Sequence, residues 1–173
     1  SYMAPDVVIA ADNSLICAFR ESDTYPRRDS YIHHLPGKPG SRISTRNSYD
    51  EGQTWEPLQV IDSMQPGEGF LNGPRLCRLQ DDTLLLVVDW IPATPPGERS
   101  SNCYIRLWRS YDHGLSWEGP ERTSVKGVVP SLKQLRDGTL LCGTSGWNEA
   151  QEEVMWVHRS SNQGQTWEGP FTV

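Results

Sequence analysis

The sequence predicts an all-β chain built as a series of equal four-stranded antiparallel units, and three observations predict it. One eight-residue phrase is written three times: Ser48-Tyr49-Asp50-Glu51-Gly52-Gln53-Thr54-Trp55, Ser110-Tyr111-Asp112-His113-Gly114-Leu115-Ser116-Trp117 and Ser160-Ser161-Asn162-Gln163-Gly164-Gln165-Thr166-Trp167. Each copy closes a longer unit with the same order of apolar runs and turns. No stretch combines helical periodicity with capping residues. Self-similarity at a regular spacing marks an array of supersecondary units.

Each unit opens with Pro and an apolar stretch: Pro5–Ile9, Pro74–Cys77 and Pro130–Leu132. A polar turn follows at Ala11–Ser14, Gln80–Thr83 and Arg136–Thr139, with the Asx and Gly residues of a tight hairpin. Next comes a buried-looking run, Leu15–Phe19, Leu84–Val88 or Leu140–Thr144, too short for a helix. A variable insert leads to a third strand at Arg42–Arg46, Tyr104–Arg109 and Val154–Arg159, and the repeated phrase joins it to a fourth. Within the phrase, Ser48, Asp50, Gly52 and Trp55, with Ser110, Asp112, Gly114 and Trp117 and with Ser160, Asn162, Gly164 and Trp167, read as structural. Asp, Asn and Ser bond nearby N–H groups, Gly takes positive φ, and Trp packs under the turn. Four-stranded units in series are the blades of a β-propeller. The chain therefore reads as one domain, 1–173, with blade 1 at about 3–61, blade 2 at about 72–122 and blade 3 at about 128–173.

Bulk properties remove several function classes. The net charge is −6 and no Lys/Arg-rich run exists, which argues against nucleic acid as a partner. No apolar run approaches the ~20 residues of a membrane span, and no signal-peptide pattern is present. Ser1-Tyr2 ahead of Met3 reads as a tag remnant. Cys17, Cys77, Cys103 and Cys142 form no C-x-x-C pair, and no His/Cys/carboxylate set stands at ligand spacing, so neither metal nor cofactor is expected. Cys17 and Cys142 share a repeat position with Leu86, which suggests buried thiols; the set assigns no compartment. Of seven Trp, Trp90 and Trp147 are not absorbed by the repeat.

Strand direction sorts the loops. The hairpin turns and the repeated phrases lie at one end of each blade, and the inserts lie at the other. The inserts run roughly Arg20 to Ser41, Asp89 to Cys103 and Ser145 to Glu153, and Arg20, Asp89 and Ser145 align at one repeat position.

The phrase S-x-[DN]-x-G-x-[ST]-W resembles the Asp-box, or BNR repeat, of the sialidase superfamily, over essentially the whole chain. Phe19-Arg20-Glu21 with a later His also resembles a stretch seen in sialidase-like proteins. The resemblance implies half of a six-bladed propeller, with a glycan site on the face opposite the boxes. It implies Asp23 or Asp29 as acid/base; apart from the resemblance, the candidates for paired carboxylates in a two-fold ring are Asp23, Asp29, Asp89, Glu98 and Glu149. Substrate contacts are expected from Arg20, Glu21, Arg27, His33, His34, Asp89, Trp90 and Trp147: an Arg grips a carboxylate with paired bonds, and a Trp stacks on a sugar face. The plainer alternative is solvated loop charge, with Arg20 paired to Glu21 or Asp23.

The sequence also departs from the family. Where the family has an R-I-P phrase in its first blade, this chain has Met3-Ala4-Pro5, so the first substrate-binding Arg is absent. The family's Tyr–Glu pair comes from later blades, and three blades do not close a ring. The expectation is a sialidase-like glycoside hydrolase acting on an acidic sugar, with a homodimer completing a six-bladed ring. The alternatives are a non-catalytic carbohydrate-binding or scaffolding propeller, or an inactive fragment of a longer sialidase.

Overall fold

A computed structural model describes residues 2–22, 41–65, 68–93, 102–148, 150 and 152–173. The described residues form thirteen strands and no helix. The first sheet runs in chain order through β1 (Tyr2–Ile9), β2 (Leu15–Ser22), β3 (Ser41–Ser48) and β4 (Gln59–Ser63). The second contains β5 (Phe70–Leu71), β6 (Arg75–Arg78), β7 (Leu84–Ile91), β8 (Tyr104–Ser110) and β9 (Glu118–Lys126); β5 and β6 pair with the same strand, β7. The third runs through β10 (Val128–Gln134), β11 (Leu140–Trp147), β12 (Glu153–Ser160) and β13 (Glu168–Thr172). Neighbours within each sheet are antiparallel.

The innermost strands begin earlier than the Pro residues that open them in the sequence, because each Pro sits in a bulge and not at a strand start. Register breaks between Met3 and Asp6 and between Val128 and Ser131. Ala4 and Val129, each just before a Pro, are left-handed at φ 52° and 54°. In the second sheet Asn72, Gly73 and Pro74 separate β5 from β6. Pro has no N–H to give the ladder, so the strand bends there rather than pairing through.

Strand alternation divides the core between two junctions. On β7, Leu84, Leu86 and Val88 pack against Ile16, Ala18 and Ile43 of the first sheet. Leu85 and Val87 pack against Leu132, Leu140 and Cys142 of the third. This central strand is covered on both sides and reads as an unbroken apolar run; β2 and β11 instead alternate buried with half-buried residues. Cys17, expected to be buried, is half-buried for that reason: it lies on the side of the first sheet that, among the described residues, no other sheet covers. Cys142 at the same repeat position is buried, which pushes its thiol pKa up to about 12.

The repeated phrases form closely similar turns. Ser48, Ser110 and Ser160 hydroxyls accept from the N–H of Gly52, Gly114 and Gly164 at 2.9, 2.8 and 2.8 Å. Asp50, Asp112 and Asn162 accept from the N–H of Thr54, Ser116 and Thr166. In the first two copies the Thr54 and Ser116 hydroxyls also donate to the carboxylate; in the third the Asn162 amide donates to the Thr166 hydroxyl. Hydrogen bonds from Thr54 hold the Asp50 pKa below its ordinary value. Trp117 packs against the first junction's cluster and Trp167 against the second's.

His158, 1% exposed, lies at the second junction, where its Nε2 accepts from Lys126 N–H. Burial lowers its pKa; a backbone contact with Cys142 opposes this, and the Lys126 charge adds to it. The unfolded chain therefore takes up this proton first. Stability is expected to be full above the unfolded value of about 6.5 and to fall as pH drops below it, flattening once the folded form is also protonated. Melting temperature measured from pH 7.5 down to 5 checks this, with His158→Gln as the control: equal slopes for both proteins would rule it out.

Candidate functional site

The end of the sheets opposite the repeated turns collects the polar residues that the core does not explain. Strand length is the first correction to the expected site. Arg20, Glu21, Asp89, Trp90 and Trp147 stand on β2, β7 and β11, not in loops, because the ladders to β3, β8 and β12 continue past them. Asp23, Arg27, Asp29, His33, His34, Glu98 and Glu149 lie outside the described residues.

Alternation separates Arg20 from Glu21. Glu21 points to the uncovered side of the first sheet, where it accepts from Arg42 Nε at 3.3 Å and the Ser44 hydroxyl at 3.2 Å. Arg20 points toward the second sheet and is 4% exposed. Its Nη1 donates to Asn72 Oδ1 at 2.7 Å, its Nη2 lies 2.7 Å from Met3 Sδ, and its guanidinium sits 4.6 Å above the centre of the Phe70 ring. Its Nε is buried with no described partner. Burial lowers the Arg20 pKa, and the nearby Asp89 charge offsets part of that.

Asp89 is fully buried. Its Oδ1 accepts from Gly73 N–H at 2.9 Å, and its Oδ2 from the Asn72 amide and from Val129 N–H, each at 3.1 Å. One carboxylate therefore holds the bulge of its own sheet and the strained bulge residue of the next. Asn72 is the relay between the two charges: its amide nitrogen is fixed by Asp89, which turns its oxygen toward Arg20. The line from Met3 through Arg20, Asn72 and Asp89 to Val129 thus crosses all three sheets.

Beside this line lies an aromatic and cationic stack. The Trp90 and Tyr104 rings are 4.8 Å apart, with Arg106 5.9 Å from Trp90 and Arg122 4.3 Å from Tyr104. Arg106 also bonds Asp62 of the first sheet at 2.8 Å. Trp147 is half-exposed at the end of β11. Among the described residues no group of three or more His, Cys, Asp or Glu is arranged to hold a metal ion.

Sequence reasoning missed Asn72, Phe70, Tyr104 and Arg106. The signal for Asn72 was present: Asn72-Gly73-Pro74 occupies the repeat position of Met3-Ala4-Pro5, the phrase already compared with R-I-P. Phe70, Tyr104 and Arg106 carry no such mark, since ordinary strand residues of the same types occur throughout the chain.

No protein-family model matches the chain, and no curated protein matches it. Solved structures do match. The chain is similar to a protein of unknown function from Dyadobacter fermentans DSM 18053, at 20% identity and TM-score 0.67, covering 96% of this chain and 53% of that one. It is similar to the α-L-arabinanase of Penicillium chrysogenum complexed with arabinobiose, at 19% identity and TM-score 0.68, covering 99% and 49%. It is also similar to the Trypanosoma rangeli sialidase in complex with sialic acid, at 13% identity and TM-score 0.60, covering 97% and 30%. At these identities the likeness shows the fold alone: the three sheets are blades of a β-propeller. The chain spans about half the length of the first two structures.

Proposed function

We propose that this chain contributes part of a sialidase-type glycoside hydrolase site, on the rim opposite the repeated turns, in which Arg20 binds the carboxylate of an acidic sugar. The observation that carries this reading is the state of Arg20. It is a buried cation whose two described acceptors, an amide oxygen and a thioether, are both neutral, and whose Nε has none. Burying a charge is costly without an opposite one, and a carboxylate matches the guanidinium fork. Asp89 is one amide away and already holds three donors. In this reading Trp90 and Trp147 offer stacking faces, and Asp23, Asp29 and Glu149 remain the acid/base candidates. The likeness to an arabinanase and a sialidase supports a sugar as the ligand class.

The test compares sialic acid with neutral arabinobiose by calorimetry, alongside turnover of a fluorogenic sialoside. Arg20→Ala is expected to weaken sialic acid binding roughly 10–100-fold, the worth of charged hydrogen bonds, and Arg20→Lys to recover part of it. Arabinobiose binding as tight as that of sialic acid, or an Arg20→Ala protein that binds sialic acid normally, would sink the carboxylate reading.

A second reading is a carbohydrate-binding propeller without catalysis. It is favoured by Met3, which stands where the sialidase pattern places its first substrate-binding Arg and whose sulfur lies against Arg20. Sialic acid binding without sialoside turnover would select it.

A further inference from the structure

We propose that the uncovered faces of the first and third blades are the two halves of one interface, and that a second copy of this chain covers them, two copies closing a ring. The chain supplies the template, because it contains the same junction twice. At the rim, the aligned position on each second strand reaches the bulge of the following blade: Arg20 bonds Asn72, and Asp89 accepts from Val129 N–H. At the opposite end, the residue before the repeated Ser reaches the following turn: Asn47 Nδ2 donates to the His113 carbonyl at 2.9 Å, and Arg109 Nη2 to the Gln163 carbonyl at 3.1 Å. A third link joins each hairpin turn to the same following residue. Asp12 lies 3.2 Å from His113 Nδ1, and Asp81 accepts from Gln163 Nε2 at 2.8 Å.

Blade 3 carries the outgoing position of every link, and blade 1 the receiving position, with a shorter, neutral side chain at the rim. Ser145 stands where Arg20 and Asp89 stand, Arg159 where Asn47 and Arg109 stand, and Asp137 where Asp12 and Asp81 stand. The receiving positions are the Ala4 bulge and Glu51 of the first repeated turn.

The apolar positions agree. Met155 is 65% exposed, where its equivalents Ile43 and Ile105 are at 0% and 1%; Val7 is 52% exposed, where Leu76 and Leu132 are at 9% and 4%. A Cβ on Gly114 would meet Ile16 at 2.8 Å and one on Gly164 would meet Leu107 at 3.1 Å, both in the preceding blade, whereas Gly52 has no such neighbour. Charge at the closing junction differs in two respects: neutral Ser145 replaces the charge of Arg20 or Asp89, and Asp137 would meet Glu51, where the internal junctions pair Asp with His or Gln. Bonds from Thr139 chiefly, and the Arg159 charge least, hold the Asp137 pKa low, and Arg159 supplies the cation between them. Solved structures about twice as long as this chain match nearly all of it, so two arcs equal one such length. Two identical junctions about a two-fold axis leave no open face.

Light scattering on a sizing column, across a concentration series, tests this on the intact chain. The expected result is a dimer, twice the 19.5 kDa chain mass, that Met155→Lys and Val7→Lys each convert to a monomer with unchanged far-ultraviolet circular dichroism. Both side chains are exposed in the single chain, so neither lysine burdens its folding. Glu51→Gln is expected to tighten the dimer about 5-fold, because it removes a like charge and places the amide found at Gln163. A monomer at every concentration, a mass that climbs without limit, or a dimer that neither lysine disturbs overturns the proposal. None of these outcomes bears on sugar binding at Arg20, which is measured separately.

Discussion

Asp89→Ala is expected to destabilise the chain by about 3–5 kcal/mol, among the largest single-residue effects in the molecule. The carboxylate is fully buried and satisfies Gly73 N–H, Val129 N–H and the Asn72 amide. Truncation strands the buried Gly73 N–H and the part-buried Asn72 amide and Val129 N–H, and leaves the Arg20 charge without its nearest counter-charge; each orphaned buried group costs on the order of 1–3 kcal/mol. It also releases the bulge at Val129, a β-branched residue held at φ 54°, a conformation that persists only where its surroundings over-determine it. Asp89→Asn keeps the shape but turns a donor toward at least one of these donors, so about half the loss is expected. Urea denaturation of the three proteins measures this. An Asp89→Ala protein within about 0.5 kcal/mol of the parent would show that the three bonds carry no net stability.

Leu84→Ala is expected to cost about 2–5 kcal/mol, and Leu15→Ala, at the same repeat position, about 1 kcal/mol in a single chain. Leu84 is fully buried between the first and second blades; Leu15 lies half-buried on the uncovered face of blade 1. The chemistry of the two substitutions is identical, so the difference isolates coverage by a neighbouring blade. Measuring both in the Met155→Lys background keeps the comparison within one chain. Equal losses there would mean that blade 1 has a covered face that the arc does not provide.

Much of the fold was legible in the sequence, because its determinants are local. The Ser48–Asp50–Gly52 pattern and its two repeats build turns from bonds within a few residues, so the phrase and its geometry travel together. The apolar runs announce strands because their alternation and their bounding turns are short-range properties. The run Leu84–Val88 reads, like its two counterparts, as buried; only contact with two neighbours shows why it is covered on both sides in blade 2 and not in blades 1 and 3.

The site was legible only in outline. Aligning the repeats brought Arg20 and Asp89 to one position, but not the Asn72 relay between them, since a bond spanning 52 residues leaves no local trace. Nor did spacing show that Asp89 would be consumed by backbone donors of two blades, or that Glu21 would turn away from Arg20. By itself, then, the sequence determined the repeat, the strand class, the turn chemistry and the end of the blades at which variable polar residues gather. Only the tertiary structure decided which charges are buried, which meet, and which faces stay open. Those outcomes depend on distances between blades, and packing sets such distances, whereas the order of residues within one blade does not.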